Sequence, residues 1–177
     1  DKRVIYVGWI DSEKGTEELL AAINNLKDHK NLHFDLIGDG KYLNKAKKFV
    51  KDKNLELKVT LFGWQPPSFI YEKLSQADIF IFPSWKEGFP NAIVEAMAAG
   101  LCIITTGVGT IPDFIEHEKN GIIIELKNSN AIKNSILDLL SNLPKIEELS
   151  RNGYQFAEKN FNIETAVDKI IKELGLS

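Results

Sequence analysis

The densest chemistry in this 177-residue chain lies between Pro83 and Gly100, in the stretch PSWKEGFPNAIVEAMAAG. Two carboxylates stand in it, Glu87 and Glu95, with seven residues between them. The pattern leaves an apolar strand, crosses a loop containing Gly88, and enters a short, nearly apolar helix predicted over Asn91–Ala99. Pro90 suits the first helical position, where its missing N–H costs nothing, and Gly100 suits the C-terminal cap. A helix N-terminus at the carboxyl end of a parallel strand collects unpaired amides and the positive end of the helix dipole, which makes it an anion site. Glu95 lies among Ile93, Val94, Ala96, Met97 and Ala98, where a carboxylate needs a hydrogen-bond partner or a cleft. Helical side chains lean toward the N-terminus, so Glu95 leans toward Asn91 and Ala92. Carboxylates accept hydrogen bonds from vicinal hydroxyls and amides bind phosphate, so a molecule with both parts, such as a nucleotide sugar, fits. On spacing alone, Glu95 also reads as a solvent-facing helix residue and Glu87 as a surface loop acid.

The elements that must position these groups alternate along the whole chain. Strands are expected at Val4–Gly8, His33–Gly38, Val59–Gly63, Asp78–Pro83, Cys102–Thr106 and Gly121–Glu125. Several are apolar at consecutive positions, as parallel strands covered on both faces require. Helices are expected at Thr16–Leu26 with Thr16 as N-cap, then at Leu43–Lys53, Ser68–Ser75 and Asn91–Ala99. Ile111–Glu116, Ser129–Asn142, Lys145–Asn160 and Glu164–Leu174 follow. This alternation implies an α/β fold: a doubly wound, Rossmann-like parallel sheet of about six strands with helices on both faces. Ligands on such sheets sit beyond the carboxyl ends of the strands. The remaining conspicuous residues have plainer readings. Gly38-Asp39-Gly40 is a strand-exit turn, Cys102 a small buried hydrophobe, and His117 a helix-end cap, while Trp64 packs on Pro66 or Pro67.

Composition narrows the function classes. With 44% hydrophobic and 27% charged residues the chain is not disordered. A net charge of −3, and only two arginines (Arg3 and Arg151) among 22 basic residues, argue against a nucleic-acid partner. The single cysteine, Cys102, excludes an internal disulfide framework and a Cys-rich zinc site. His29, His33 and His117 are well separated, and no carboxylate or His cluster has metal-ligand spacing. No apolar run is long enough for a transmembrane segment. The chain opens at Asp1 and enters a strand almost at once, which reads as a piece cut from something longer.

The Glu87-x7-Glu95 pair followed by Ala96-Met97-Ala98-Ala99-Gly100 resembles the signature of retaining GT-B glycosyltransferases of the group 1 family (family 4). Other landmarks of that family's C-terminal domain recur in order over nearly the whole chain. They are Val7-Gly8 with Glu13-Lys14-Gly15, Leu36-Ile37-Gly38-Asp39-Gly40, Leu61-Phe62-Gly63, Ala77-Asp78-Ile79-Phe80, Pro83-Ser84, Gly107-Val108-Gly109-Thr110-Ile111-Pro112-Asp113 and Asn120-Gly121. The resemblance implies that residues 1–177 are a Rossmann-like domain binding a nucleotide-diphosphate sugar, with an N-terminal acceptor-binding domain outside this chain. It implies retaining, hexosyltransferase-type transfer to an acceptor hydroxyl, with no metal and no cofactor beyond the donor itself. Glu87 resembles the catalytic acid near the reacting carbon, and Glu95 the acid that holds the ribose hydroxyls. Gly88, Phe89, Pro90, Asn91 and Ala92 occupy positions whose backbone lines the sugar and diphosphate. Lys14 resembles the lysine that neutralises the diphosphate, and the loop after Gly63, with Trp64 and Gln65, resembles the one whose backbone meets the base. The acceptor, a sugar, a lipid-linked sugar or another hydroxyl, would be held by the other domain, so the isolated domain should show little or no transfer. Such enzymes build surface polysaccharide or glycoconjugates in the cytoplasm or at the cytoplasmic face of the membrane. One departure stands out: Trp9 occupies the position where the family usually has a phosphate-pairing Arg. Charge-assisted hydrogen bonds are worth about 1.5–3 kcal/mol each, so a weaker phosphate site is expected. Asp113 where Glu is commoner is a milder change. A non-catalytic scaffold domain and a GT-B nucleotide-sugar epimerase are the alternatives.

Overall fold

A computed structural model describes residues 1–161. All six expected strands form, as β1 (Lys2–Val7), β2 (Leu32–Ile37), β3 (Val59–Gly63), β4 (Ile79–Phe82), β5 (Cys102–Thr106) and β6 (Ile122–Ile124). They build one parallel sheet in the order β3-β2-β1-β4-β5-β6. The α-helices among the described residues are α1 (Thr16–Asn25), α2 (Leu43–Asp52), α3 (Pro67–Ser75), α4 (Asn91–Ala98), α5 (Ser129–Ser141) and α6 (Leu143–Phe161). They cover both faces: α1 packs with α2 and α5, and α4 packs with α6. Burial explains the uninterrupted apolar runs, since every residue of β4 and β5 is buried. Strand order reverses between β1 and β4, so the loops leaving those two strands diverge to opposite faces and open a crevice.

Three local expectations change. The segment Ile111–Glu116 is not a helix but a 3-10 turn over Ile111–Asp113. Buried Asn120 takes over beyond it, donating to the Phe114 carbonyl (2.9 Å) and accepting from the Glu116 amide (2.8 Å). Gly15, not Thr16, caps α1; Thr16 is the first helical residue and donates to the Asp11 carbonyl (2.8 Å). His117 caps no helix, because its Nδ1 accepts the amide of Ile123 in β6 (3.0 Å). The expected helix at Glu164–Leu174 lies outside the described residues.

One polar group is fully buried at the start of the sheet. Asp35 of β2 has no exposed surface; Arg3 Nη1 reaches its Oδ2 at 2.7 Å, and His33 Nε2 lies 3.3 Å from its Oδ1. Removing one partner of a buried pair leaves an uncompensated charge, whereas replacing both with apolar groups does not. Arg3→Met should therefore destabilise the domain by on the order of 2 kcal/mol, and the double variant Arg3→Met/Asp35→Leu should recover most of that loss. Urea unfolding of both reads this, and equal losses would contradict it.

Candidate functional site

Three loops meet above the reversal point, and hydrogen bonds lock them together. The loop after β1 turns through a 3-10 segment, Ser12–Lys14, capped by Asp11, whose side chain accepts the Glu13 amide (3.2 Å). Gly15 then takes a left-handed conformation (φ 71°), and a β-carbon there would lie 2.1 Å from the Pro83 carbonyl oxygen. Only glycine allows this approach of the first loop to the one leaving β4. The Glu13 carbonyl accepts the Trp85 amide (2.8 Å), and the buried Ser84 hydroxyl is shared between that carbonyl (3.3 Å) and the Lys86 carbonyl (3.1 Å). From β5, Thr106 Oγ1 donates to the Ser84 carbonyl (2.5 Å) and Thr105 Oγ1 to that of Phe82 (2.9 Å). The loop after β5 closes the other side: Thr110 donates to the Gly88 carbonyl through its amide (3.3 Å) and hydroxyl (2.7 Å). Gly109 (φ 58°) has no room for a β-carbon, which would sit 2.1 Å from the Glu87 carbonyl oxygen.

This closure brings two of the sequence-predicted residues into contact. Lys14 Nζ lies 2.5 Å from Glu87 Oε1, with side chains only 22% and 10% exposed. The cation and the acid neutralise each other, and the ammonium also sits 5.9 Å from the centre of the Phe82 ring. Beside them α4 begins at Asn91. Pro90 is outside the helix (φ −83°, ψ 88°), as an N-cap without a side-chain hydrogen bond, rather than its first residue. The amides of Asn91 and Ala92, in the first turn, have no backbone acceptor among the described residues. Phe89 contributes backbone here; its ring packs against Phe114 and Phe161, with centroids 5.7 and 5.8 Å away.

Glu95, on the next turn of α4, is half-buried and has no hydrogen-bond partner among the described residues. Burial alone raises its carboxyl above the ordinary value of 4.5. With Tyr71, Leu74, Ala98 and Ala99 it lines a shallow pocket between α3 and α4. Gln65 is turned back, its Nε2 donating to the Phe62 carbonyl (3.1 Å), and it lines a separate cleft of about 270 Å³ with Trp64, Trp9, Gly8 and Gly38. Trp64 is 71% exposed, so it is not packed away on Pro66 or Pro67, which are themselves exposed. Tyr6, buried beneath, keeps its phenol proton: burial and then the Glu87 and Asp11 charges push its pKa far up, and it donates to the Trp9 carbonyl (2.7 Å). Cys102 is buried, its thiol pushed up to about 12 by desolvation, and takes no part. Among the described residues no three His, Cys, Asp or Glu side chains could hold a metal ion.

The structure thus joins Lys14, Glu87 and the amides leading to Ala92 at one point, and sets Gln65 apart in a neighbouring cleft. Sequence reasoning gave no role to Thr110, Gly109 or Tyr71. The glycines of Gly107-Val108-Gly109-Thr110 were the available signal for the clasp, whereas nothing in the sequence marks Tyr71.

The sequence profile described as "Glycosyl transferases group 1" matches residues 1–156. The chain belongs to the group 1 glycosyltransferases. An uncharacterized glycosyltransferase of Methanocaldococcus jannaschii is 32% identical over 174 residues, covering 97% of this chain and 48% of the relative. An Escherichia coli protein, UDP-Gal:alpha-D-GlcNAc-diphosphoundecaprenol alpha-1,3-galactosyltransferase, is 31% identical over 138 residues, 77% of this chain and 35% of that one. The crystal structure of the C-terminal domain of a group 1 family protein (LpcC) from Francisella tularensis superposes with a TM-score of 0.84 at 27% identity. That match covers 92% of this chain and 87% of the other. The group 1 chain described here spans half or less of the length of those two curated relatives.

Glu95 supplies a test of the site within this group 1 domain. A carboxyl whose pKa is raised on folding favours the fold below its unfolded value, near 4.5, and that contribution is lost as pH rises through the folded value. Glu95→Gln should therefore raise the melting temperature at pH 7 and leave it almost unchanged near pH 3.5. Thermal unfolding at the two pH values checks this; a gain of equal size at both would contradict it.

Proposed function

We propose that this domain binds a nucleotide-diphosphate sugar and presents its anomeric carbon for retaining transfer of the glycosyl group to an acceptor hydroxyl. The observation that carries the reading is the meeting of Lys14, Glu87 and the open amides of α4 at the sheet's reversal point. Diphosphate oxygens would accept hydrogen bonds from the backbone between Gly88 and Ala92 and from Lys14 Nζ, as preorganised electrostatics for the leaving group. Because Lys14 is paired with Glu87 before any ligand arrives, diphosphate would compete for the ammonium and turn the Glu87 carboxylate toward the donor's sugar. Glu95 would receive the ribose hydroxyls, which offer its desolvated carboxylate the hydrogen bonds it lacks. During transfer the bond from the anomeric carbon to the diphosphate oxygen breaks, a bond to the acceptor oxygen forms on the same face, and the acceptor hydroxyl's proton passes to the departing diphosphate.

In this reading the acceptor is held by a second domain, as relatives about twice this length suggest. A surface polysaccharide or glycoconjugate role follows the Escherichia coli relative, whose name gives a UDP-sugar donor and a lipid-diphosphate acceptor. The proposed location is the cytoplasm or its membrane face; among the described residues no helix is long and apolar enough to cross a membrane. The reading uses no metal, so EDTA should leave nucleotide affinity unchanged. Trp9 in place of the usual Arg favours a second reading, a binding domain without catalysis.

Calorimetric titration with UDP, ADP and GDP tests the binding that both readings share, and a transfer assay on the full-length protein separates them. Glu95→Ala should weaken binding of the preferred diphosphate by about 10- to 100-fold. In the full-length enzyme Glu87→Ala should lower kcat by roughly 100-fold or more while moving KM far less. Nucleotide binding without measurable transfer in the full-length protein would favour the second reading. Equal, small effects of both substitutions would make the carboxylates surface groups.

A further inference from the structure

The two largest exposed side chains at the carboxyl edge of the sheet are left without a role. Trp9 is 67% exposed and Trp64 is 71% exposed. They follow β1 and β3, the two strands that flank β2, and both line the 270 Å³ cleft. Neighbouring strands lie about 4.8 Å apart, so two strands separated by one leave their exits roughly 9.6 Å apart. A planar ring with van der Waals contact on both faces occupies about 7 Å between its neighbours. The rest of the lining is mostly apolar, Val7, Gly8, Ile37, Gly38 and Ile70 with Asp39 at one side, and Gly38 is packed so close that a β-carbon would lie 1.8 Å from the Gly8 carbonyl oxygen.

The walls are also held in place. The ladder continues beyond the strands, with Gly8 N donating to Ile37 O (3.0 Å), Ile10 N to Asp39 O (2.9 Å) and Gly38 N to Gly63 O (2.8 Å). The Tyr6 hydroxyl fixes the Trp9 carbonyl and the Gln65 side chain pins the turn after Trp64. Consecutive residues of α3 link this cleft to the pocket of Glu95, since Ile70 lines the first and Tyr71 the second.

We infer that Trp9 and Trp64 form an aromatic clamp for the nucleobase of the donor, so that this chain holds its nucleotide in part by stacking. The inference rests on the donor-binding proposal above. The family resemblance gives the backbone near Gln65 to the base and assigns nothing to either indole. A base extending from a ribose held by Glu95 would cross α3 at Tyr71 and Ile70 and reach the cleft that both indoles line. Stacking of a base on one aromatic ring is worth roughly 5- to 150-fold in affinity.

The test is calorimetry on this chain with UDP, ADP and GDP, their nucleosides, and inorganic diphosphate, at low and high salt. The preferred nucleoside should bind within about tenfold of its diphosphate, and inorganic diphosphate should bind far more weakly. Trp9→Ala and Trp64→Ala should each weaken nucleoside and nucleotide alike by at least about 5-fold, while Trp9→Phe keeps most of the affinity. Trp9→Arg should weaken the nucleoside and make nucleotide binding more salt-dependent. Both side chains are exposed, so circular dichroism should report unchanged folds. Nucleotide binding that Glu95→Ala lowers and both tryptophan variants leave intact would overturn the clamp and spare the donor proposal. Binding of methyl α-glucoside but no nucleoside, lost in Trp9→Ala, would overturn it in favour of a sugar subsite. No binding of any nucleotide at millimolar concentration would overturn the donor proposal and the clamp with it.

Discussion

The carbonyl of Glu13 accepts the Trp85 amide (2.8 Å), with the Ser84 hydroxyl shared between it and the Lys86 carbonyl, and this junction ties the loop after β1 to the loop after β4. The crevice of an open α/β sheet exists because these loops part at the reversal of strand order. Joining them again at one carbonyl fixes how far apart they stand. Lys14 follows Glu13 directly, and Glu87 lies two residues beyond Trp85, so the ion pair is a consequence of the junction. The tight contact of Gly15 with the Pro83 carbonyl and the buried bond from Thr106 to Ser84 hold the same place from below.

The charges at this edge are arranged for something to arrive. Lys14 is neutralised by Glu87, the amides of Asn91 and Ala92 are open, and Glu95 carries the cost of burial without a hydrogen bond. A well-packed domain with no ligand to hold would gain by replacing Glu95 with a neutral residue. A diphosphate joined to a vicinal diol satisfies all three features at once, with one negative and one hydroxylated part. That complementarity, more than the presence of two acids, supports a nucleotide-sugar site.

Much of this was legible in the sequence. Consecutive apolar residues such as Ile79–Phe82 mark strands buried on both faces, and those strands form with shifts of one or two residues at their ends. The glutamate spacing, Gly88 and the apolar run after Pro90 located the loop and α4. What was not legible depends on contacts distant in sequence. Nothing local to Ile111–Glu116 tells that Asn120 will take the hydrogen bonds a helix would have used. The pairing of Lys14 with Glu87 spans 73 residues and follows from the sheet order. Trp64 beside two prolines suggests local packing; only the placement of β1 and β3 on either side of β2 shows that it shares a cleft with Trp9.

The most direct measurement of the central claim is a crystal structure of this domain with its preferred nucleoside diphosphate bound. The account predicts the diphosphate over the amides between Gly88 and Ala92, Lys14 drawn from Glu87 onto the phosphate oxygens, and the ribose hydroxyls on Glu95. A diphosphate bound elsewhere on the domain, with the Lys14–Glu87 pair intact, would contradict it.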